Sequence, residues 1–197
     1  WSAVYYYFYR WSRDGTWERL NHALRSRLRQ KGGRHKHPTA GCLDGQSVQC
    51  TAVPGPRGRD AGKKVDGRKR HILVDTPGLL PAVVVTAARV QDRDGARLLL
   101  ARLPGGCKKL RKVWVDGGYT GTLVDWVAAR FKFGLAVVLR PKESRTFALL
   151  PRRRVVERTF GWPNHSRRPS KSYERLARTD EAWIYIAMTR IVLERLA

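Results

Sequence analysis

The sequence predicts an α/β fold, a mixed sheet flanked by helices and preceded by a short helical segment. Three observations predict it. Short runs rich in Val, Leu and Ile alternate with stretches whose apolar residues recur every three or four positions. Two runs, "HILVD" and "LLPAVVVTA", flank "TPG", a hairpin connection. Two later runs, "KVWV" and "LAVVLRP", each follow a helical stretch, the arrangement that builds the parallel part of a sheet.

The elements follow in order. "WSAVYYYFYRWSRDGTWERLNHALRSRLRQ" reads as helical; from Gly15 on, Trp17, Leu20, Leu24 and Leu28 form one apolar face with arginines opposite. "KGGRHKHP" breaks that pattern and serves as a linker. Residues 40–51 make a first strand that carries Asp44. "VPGPRGRDAGKKVDGRKR" is a loop by composition. Pro then Gly in "TPG" suits a type II turn, and Pro81 pushes the hairpin's second strand toward an edge or an end. "RDGARLLLARL" is a helix, "KVWV" a buried strand ending at Asp116, "TLVDWVAARF" a helix and "LAVVLRP" a strand. "RRRVVERTFGW" and "YERLARTDEAWIYIAMTRIVLERLA" close the chain as helices. This is the element order of the ribonuclease H-like fold. It divides the chain into an aromatic-rich helical segment and linker, 1–38, and one domain, 39–197.

Composition narrows the function. The chain has 197 residues, 42% of them hydrophobic, enough for a packed core. Forty Lys and Arg against sixteen Asp and Glu give a net charge of +24, an excess that points to a polyanionic partner such as DNA. No apolar run approaches the ~20 residues a bilayer span needs. Cys42, Cys50 and Cys107 form no CxxC pair, which fits a reducing, cytoplasmic setting. His35 and His37 lack partner ligands and read as a solvated linker. The chain starts at Trp1, and a natural N-terminal segment is expected before it.

Among so many bases, three acids stand out. Asp44 on the first strand and Asp116 at the end of a parallel neighbour face each other if those strands lie ~4.8 Å apart. Glu157 lies on a later helix able to pack against the same edge, one turn after Arg153. Converging carboxylates repel unless a cation neutralises them, and hard oxygen ligands suit Mg²⁺. Two such ions would activate a water and stabilise the leaving oxygen of a phosphodiester. Each acid alone has a plainer reading: a turn for Asp44 and Asp116, an exposed pair with Arg153 for Glu157. Asp75, Asp92, Asp94 and Asp125 read as turn, cap or helix-surface residues.

"RGRDAGKKVDGRKRHILVDTPGLL", "VQDRDGARLLLARL", "VWVDGGYTG", "VVLRPKESRTFALLPRRRVVERTFGW" and "SYERLARTDEAWIYIAMTRIVLERLA" together resemble bacterial insertion-sequence transposases of the DDE class. The closest likeness is to the group with an Arg-x-x-x-Glu-Arg-Thr-Phe-Gly-Trp catalytic helix. The resemblance implies that Asp44, Asp116 and Glu157 are the catalytic, metal-holding acids, and that Arg153 belongs with them. It implies Mg²⁺ or Mn²⁺, two ions, and a DNA partner. It implies cleavage at the element's ends, attack of the freed 3′-hydroxyl on target DNA, a homo-oligomer on paired ends, and a cytoplasmic, nucleoid-associated protein. Candidate DNA contacts are Arg57, Arg59, Lys63, Lys64, Arg68, Lys69 and Arg70, with Arg158, Arg167, Arg168 and Lys171. Trp162 reads as core packing beside Phe160, with base stacking as the alternative.

The chain departs from the group's pattern at three places. Gly45 replaces a serine after the first acid, Gln49-Cys50 stands where a lysine is usual, and "PNHS" follows Trp162, so that Pro163 is expected to end the glutamate helix. All three acids remain. A truncated, catalytically decayed copy that binds DNA without cutting it is the alternative expectation.

Overall fold

A computed structural model describes residues 1–139 and 151–197. Helices α1 (Ser2–Arg13) and α2 (Thr16–Lys31) open the chain. They part at Gly15, whose φ of 76° lies in the left-handed region that glycine enters without steric cost. Then come β1 (Ala40–Gln49), β2 (Gly58–Asp60), the long β3 (Val65–Asp75) and β4 (Ala82–Ala87). α3 (Asp92–Ala101), β5 (Lys112–Val115), α4 (Thr122–Arg130) and β6 (Gly134–Val137) follow, and α5 (Pro151–Asn164) and α6 (Ala177–Leu196) complete the described chain.

β1 runs antiparallel to β3 and parallel to β5, and β5 runs parallel to β6. The far edge of β3 is shared: β2 pairs with its first residues and β4 with the rest. This is the mixed, ribonuclease H-like sheet the element order predicts. Alternation along the strands sends Leu43 and Leu73 to one face and Cys42 and Ile72 to the other. The first face packs on α3 and α4 through Ala96, Leu99, Leu123 and Val127. The second packs on α5 and α6 through Val156, Phe160, Ile184 and Met188. Helices on both faces explain why the strands read as nearly continuous apolar runs. The β1–β3 ladder runs from Gly41↔Asp75 to Gln49↔Gly67. At its end a Cβ on Gly67 would overlap the Val48 carbonyl oxygen, so the two backbones meet there without room for a side chain.

Several expectations need correction. The face of α2 that is buried carries Asn21, Arg25 and Arg29, while Leu20 is exposed. The reason is an internal acid: Arg29 Nη1 donates to Asp75 Oδ2 at 2.6 Å with both side chains buried, so Asp75 is no surface turn residue. The basic stretch read as a loop contains β2 and the start of β3. In the hairpin, the Gly78 N–H donates to the Asp75 carbonyl at 2.9 Å, which puts Pro77 at the third turn position and Gly78 after it. A type II turn would need them one place earlier. α5 continues one residue past Pro163, to Asn164. The strand expected at "LAVVLRP" ends at Val137, and its Arg140 and Pro141 lie outside the described residues.

Candidate active site

The parallel ladder pairs Cys42 on β1 with Trp114 on β5. Asp44 lies two residues further along β1 and Asp116 one residue past the end of β5, so both acids stand at the same end of this ladder, near enough for the charge of Asp116 to be felt at Asp44. Asp44 is half-buried, and burial pushes its carboxyl up to about 6. The Gly45 N–H, donating to Asp44 Oδ1 at 2.7 Å, opposes that rise, whereas the negative charge of Asp116 adds to it.

Asp116 both makes a turn and faces the site. Its Oδ1 accepts from the Gly118 N–H at 2.8 Å and caps the short 3-10 turn Gly117–Tyr119. Its Oδ2 lies 3.6 Å from Arg153 Nη2, and the same nitrogen lies 3.7 Å from Glu157 Oε1. One guanidinium on α5 therefore gathers the second and third acids. These contacts are too long for hydrogen bonds, and the side chains are open to solvent: Arg153 is 27% exposed, Asp116 30% and Glu157 55%. α5 is held in place by Val156 and Phe160 in the second core and by Thr159 Oγ1, which donates to the Gly78 carbonyl at 3.0 Å.

Tyr119 was not singled out from the sequence. It is fully buried, and its hydroxyl has no hydrogen-bond partner among the described residues. Burial, with the negative charges of Asp44, Asp92 and Asp116, raises its ionisation well above the ordinary tyrosine range. The only sequence signal was its place three residues after Asp116, in a turn otherwise made of glycine. Asp92, at the start of α3, reaches this neighbourhood because Gly45 has no side chain: a Cβ there would lie 2.8 Å from Asp92 Oδ1.

The basic residues fall into two sets. Arg57, Arg59, Lys63 and Lys64 are exposed around β2 and its turn into β3, and Lys63 Nζ donates to the Gly45 carbonyl at 2.8 Å, next to Asp44. Arg68, Lys69 and Arg70 drop out as phosphate contacts. All three are buried on β3, Arg68 and Arg70 against Asp180 and Lys69 between Asp60 and Asp92. Arg158, Arg167 and Lys171 are exposed, and Arg168 pairs with Glu174 at 3.1 Å. Trp162 packs on the second core with the Arg158 and Arg195 guanidiniums over its ring, at 5.1 and 4.4 Å.

The family described as transposase DDE domain matches residues 35–192, a span that holds all three acids. The chain belongs to the DDE transposase family. No curated protein matches it. Transposases of this family act on DNA and generally use divalent metal ions. The donor chemistry here fits such an ion, with hard carboxylate oxygens at Asp44, Asp116 and Glu157. Among the described residues, no three His, Cys, Asp or Glu side chains stand close enough to form a ready metal cage. The charge between Asp116 and Glu157 is balanced by Arg153 instead. Among the described residues, no helix is long and apolar enough to cross a membrane.

Proposed function

We propose that this transposase cuts DNA strands at the ends of an insertion sequence and joins them to target DNA, with Asp44, Asp116 and Glu157 as its catalytic acids. The observation that supports the reading is the parallel β1–β5 ladder, which brings Asp44 and Asp116 to the same sheet end, with Arg153 lying between Asp116 and Glu157 at 3.6 and 3.7 Å. Mg²⁺ or Mn²⁺ held by these carboxylates, as two ions, supplies the Lewis acidity for phosphodiester attack. In the first reaction water attacks the phosphorus, the bond to the 3′-oxygen breaks and a 3′-hydroxyl leaves beside a 5′-phosphate; in the second that hydroxyl attacks a target phosphorus, and the target strand's own 3′-oxygen leaves as a hydroxyl.

The chain's own groups bind and orient. The exposed bases Arg57, Arg59, Lys63 and Lys64, with Arg158, Arg167, Arg168 and Lys171, contact phosphates and set the register of the DNA without reading its bases. Lys63, tied to the carbonyl beside Asp44, brings that basic turn to the acids. Asp44 takes up a proton more readily than an ordinary aspartate, which relieves its repulsion with Asp116 while no cation is bound. Two copies of the chain hold the two element ends together.

A second reading, a DNA binder that no longer cuts, is favoured by one observation: the acids do not stand ready as a cage. A nicking assay on end-sequence DNA with Mg²⁺ or Mn²⁺ separates the two. Cleavage by the parent chain that falls at least about a hundredfold in Asp116→Ala, with salt-sensitive binding retained, supports the enzyme. Binding without cleavage by either protein supports the second reading.

A further inference from the structure

Helix α1 is built for a contact that the described chain does not supply. Six of its twelve residues are aromatic, yet none is buried. A helix this short gains little from propensity alone and needs packing along a face to persist. Between α1 and α6 lies a groove of about 740 Å³, a volume suited to a planar organic ligand. Its aromatic lining falls into two groups: Tyr7 meets Trp11 with ring centroids 5.9 Å apart and Trp11 meets Trp17 at 5.0 Å, while Phe8 meets Trp183 at 4.9 Å. Tyr5 and Tyr7 are 59% and 51% exposed.

The polar groups at this groove specify the occupant. Arg168, which lines the groove, lies over Trp183 at 5.6 Å; beside the groove, Arg13 and Arg178 lie over Tyr9 at 5.4 and 5.9 Å, the ring stacked on Tyr5 at 6.2 Å. The groove's acid, Glu174, is already paired with Arg168. α1 itself contains no acid. Flat aromatic faces beside arginines call for a ligand that is planar and anionic. A second copy pairing through this same face would set Arg13, Arg168 and Arg178 against their own duplicates.

We propose that α1 and α6 form a stacking platform for unpaired DNA, with bases on the Tyr5, Tyr7 and Trp11 rings and phosphates at Arg13, Arg168 and Arg178. Base–aromatic stacking tolerates any sequence, because every base presents a π-face. The platform rests on the reading of the chain as a DNA-processing protein, but not on its acids.

The test measures binding of the 197-residue chain to a dT oligonucleotide and to a duplex of equal length, over a range of salt. In Tyr5→Ala/Tyr7→Ala, affinity for the dT strand is expected to fall on the order of tenfold or more, with duplex affinity unchanged. The salt slope should stay the same, since no charge is removed. Tyr5→Phe/Tyr7→Phe should restore binding, because the ring faces survive. Equal dT affinity in parent and alanine variant overturns the platform, as does an equal loss on both DNAs. So does loss of DNA-free self-association with dT binding intact, which would assign the face to a second copy. A parent chain that binds neither DNA would bring down the DNA reading itself.

Discussion

Asp180 and Asp116 are both aspartates beside arginine, and the two regions around them could hardly differ more. Asp180 is buried where β3, α6 and the segment before α6 meet. Its Oδ2 accepts from Ser172 Oγ at 2.6 Å and from Arg68 Nη1 at 3.2 Å, and Arg70 Nη2 stands 3.6 Å from its Oδ1. Asp116 sits at an open sheet end, and its outward oxygen meets one guanidinium at 3.6 Å, shared with Glu157. The first acid is buried between two guanidiniums, with one oxygen filled by two short internal contacts, and fastens three parts of the fold. The second keeps an oxygen available to an incoming group. In so basic a chain an arginine neighbour says nothing about an acid's role; burial and the length of its contacts do.

Asp180→Ala puts the largest strain on this contrast. It leaves two buried guanidiniums without their counter-charge, which costs about 3–5 kcal/mol, read as a lower denaturant midpoint. A loss under about 1 kcal/mol would erase the distinction between the regions.

Glu181 lies between the extremes and sharpens the comparison. It is largely buried, accepts the Val85 N–H at 2.8 Å and has Arg102 only at 3.6 Å. Burial dominates and raises its carboxyl from 4.5 to about 7. The folded state therefore binds more protons than the unfolded chain in that window, and this group's contribution to stability falls as pH rises from about 4.5 to about 7. Glu181→Gln should flatten that part of the stability–pH profile, by on the order of 1–3 kcal/mol between pH 5 and 8. A profile unchanged by the substitution would show that the carboxyl is not penalised by burial.

The smallest effect belongs to the open site. Arg153→Ala should change stability by less than about 0.5 kcal/mol in the same denaturation measurement, because its two ion pairs are long and solvated. A loss comparable to that of Asp180→Ala would mean that the open cluster is structural after all.

Much of the fold was legible because apolar periodicity records which faces meet. "KVWV" and "TLVDWVAARF" became β5 and α4 because each carries its burial pattern in consecutive residues. That β1 and β5 run parallel as neighbours was legible from the element order, and it brings the chain positions of Asp44 and Asp116 to one end of the sheet. What stayed hidden was pairing between distant polar residues. Nothing local marks Arg25 and Arg29 as buried, since Arg29 depends on Asp75, 46 residues away. Arg68 and Arg70 looked like a DNA-facing run because their partner, Asp180, lies more than a hundred residues later. Tyr119 was invisible for a related reason: its burial comes from α3 and the sheet, not from the glycines beside it.

Gly67 carries one last implication, for how this sequence can change over generations. The bases around β2 project into solvent, so replacements there leave the architecture untouched and are limited only by what DNA binding asks of them. Position 67 offers no such latitude, because even one methyl group must push aside the main chain of the strand that bears Asp44. The fold itself permits drift at its rim and forbids it at the seam behind Asp44.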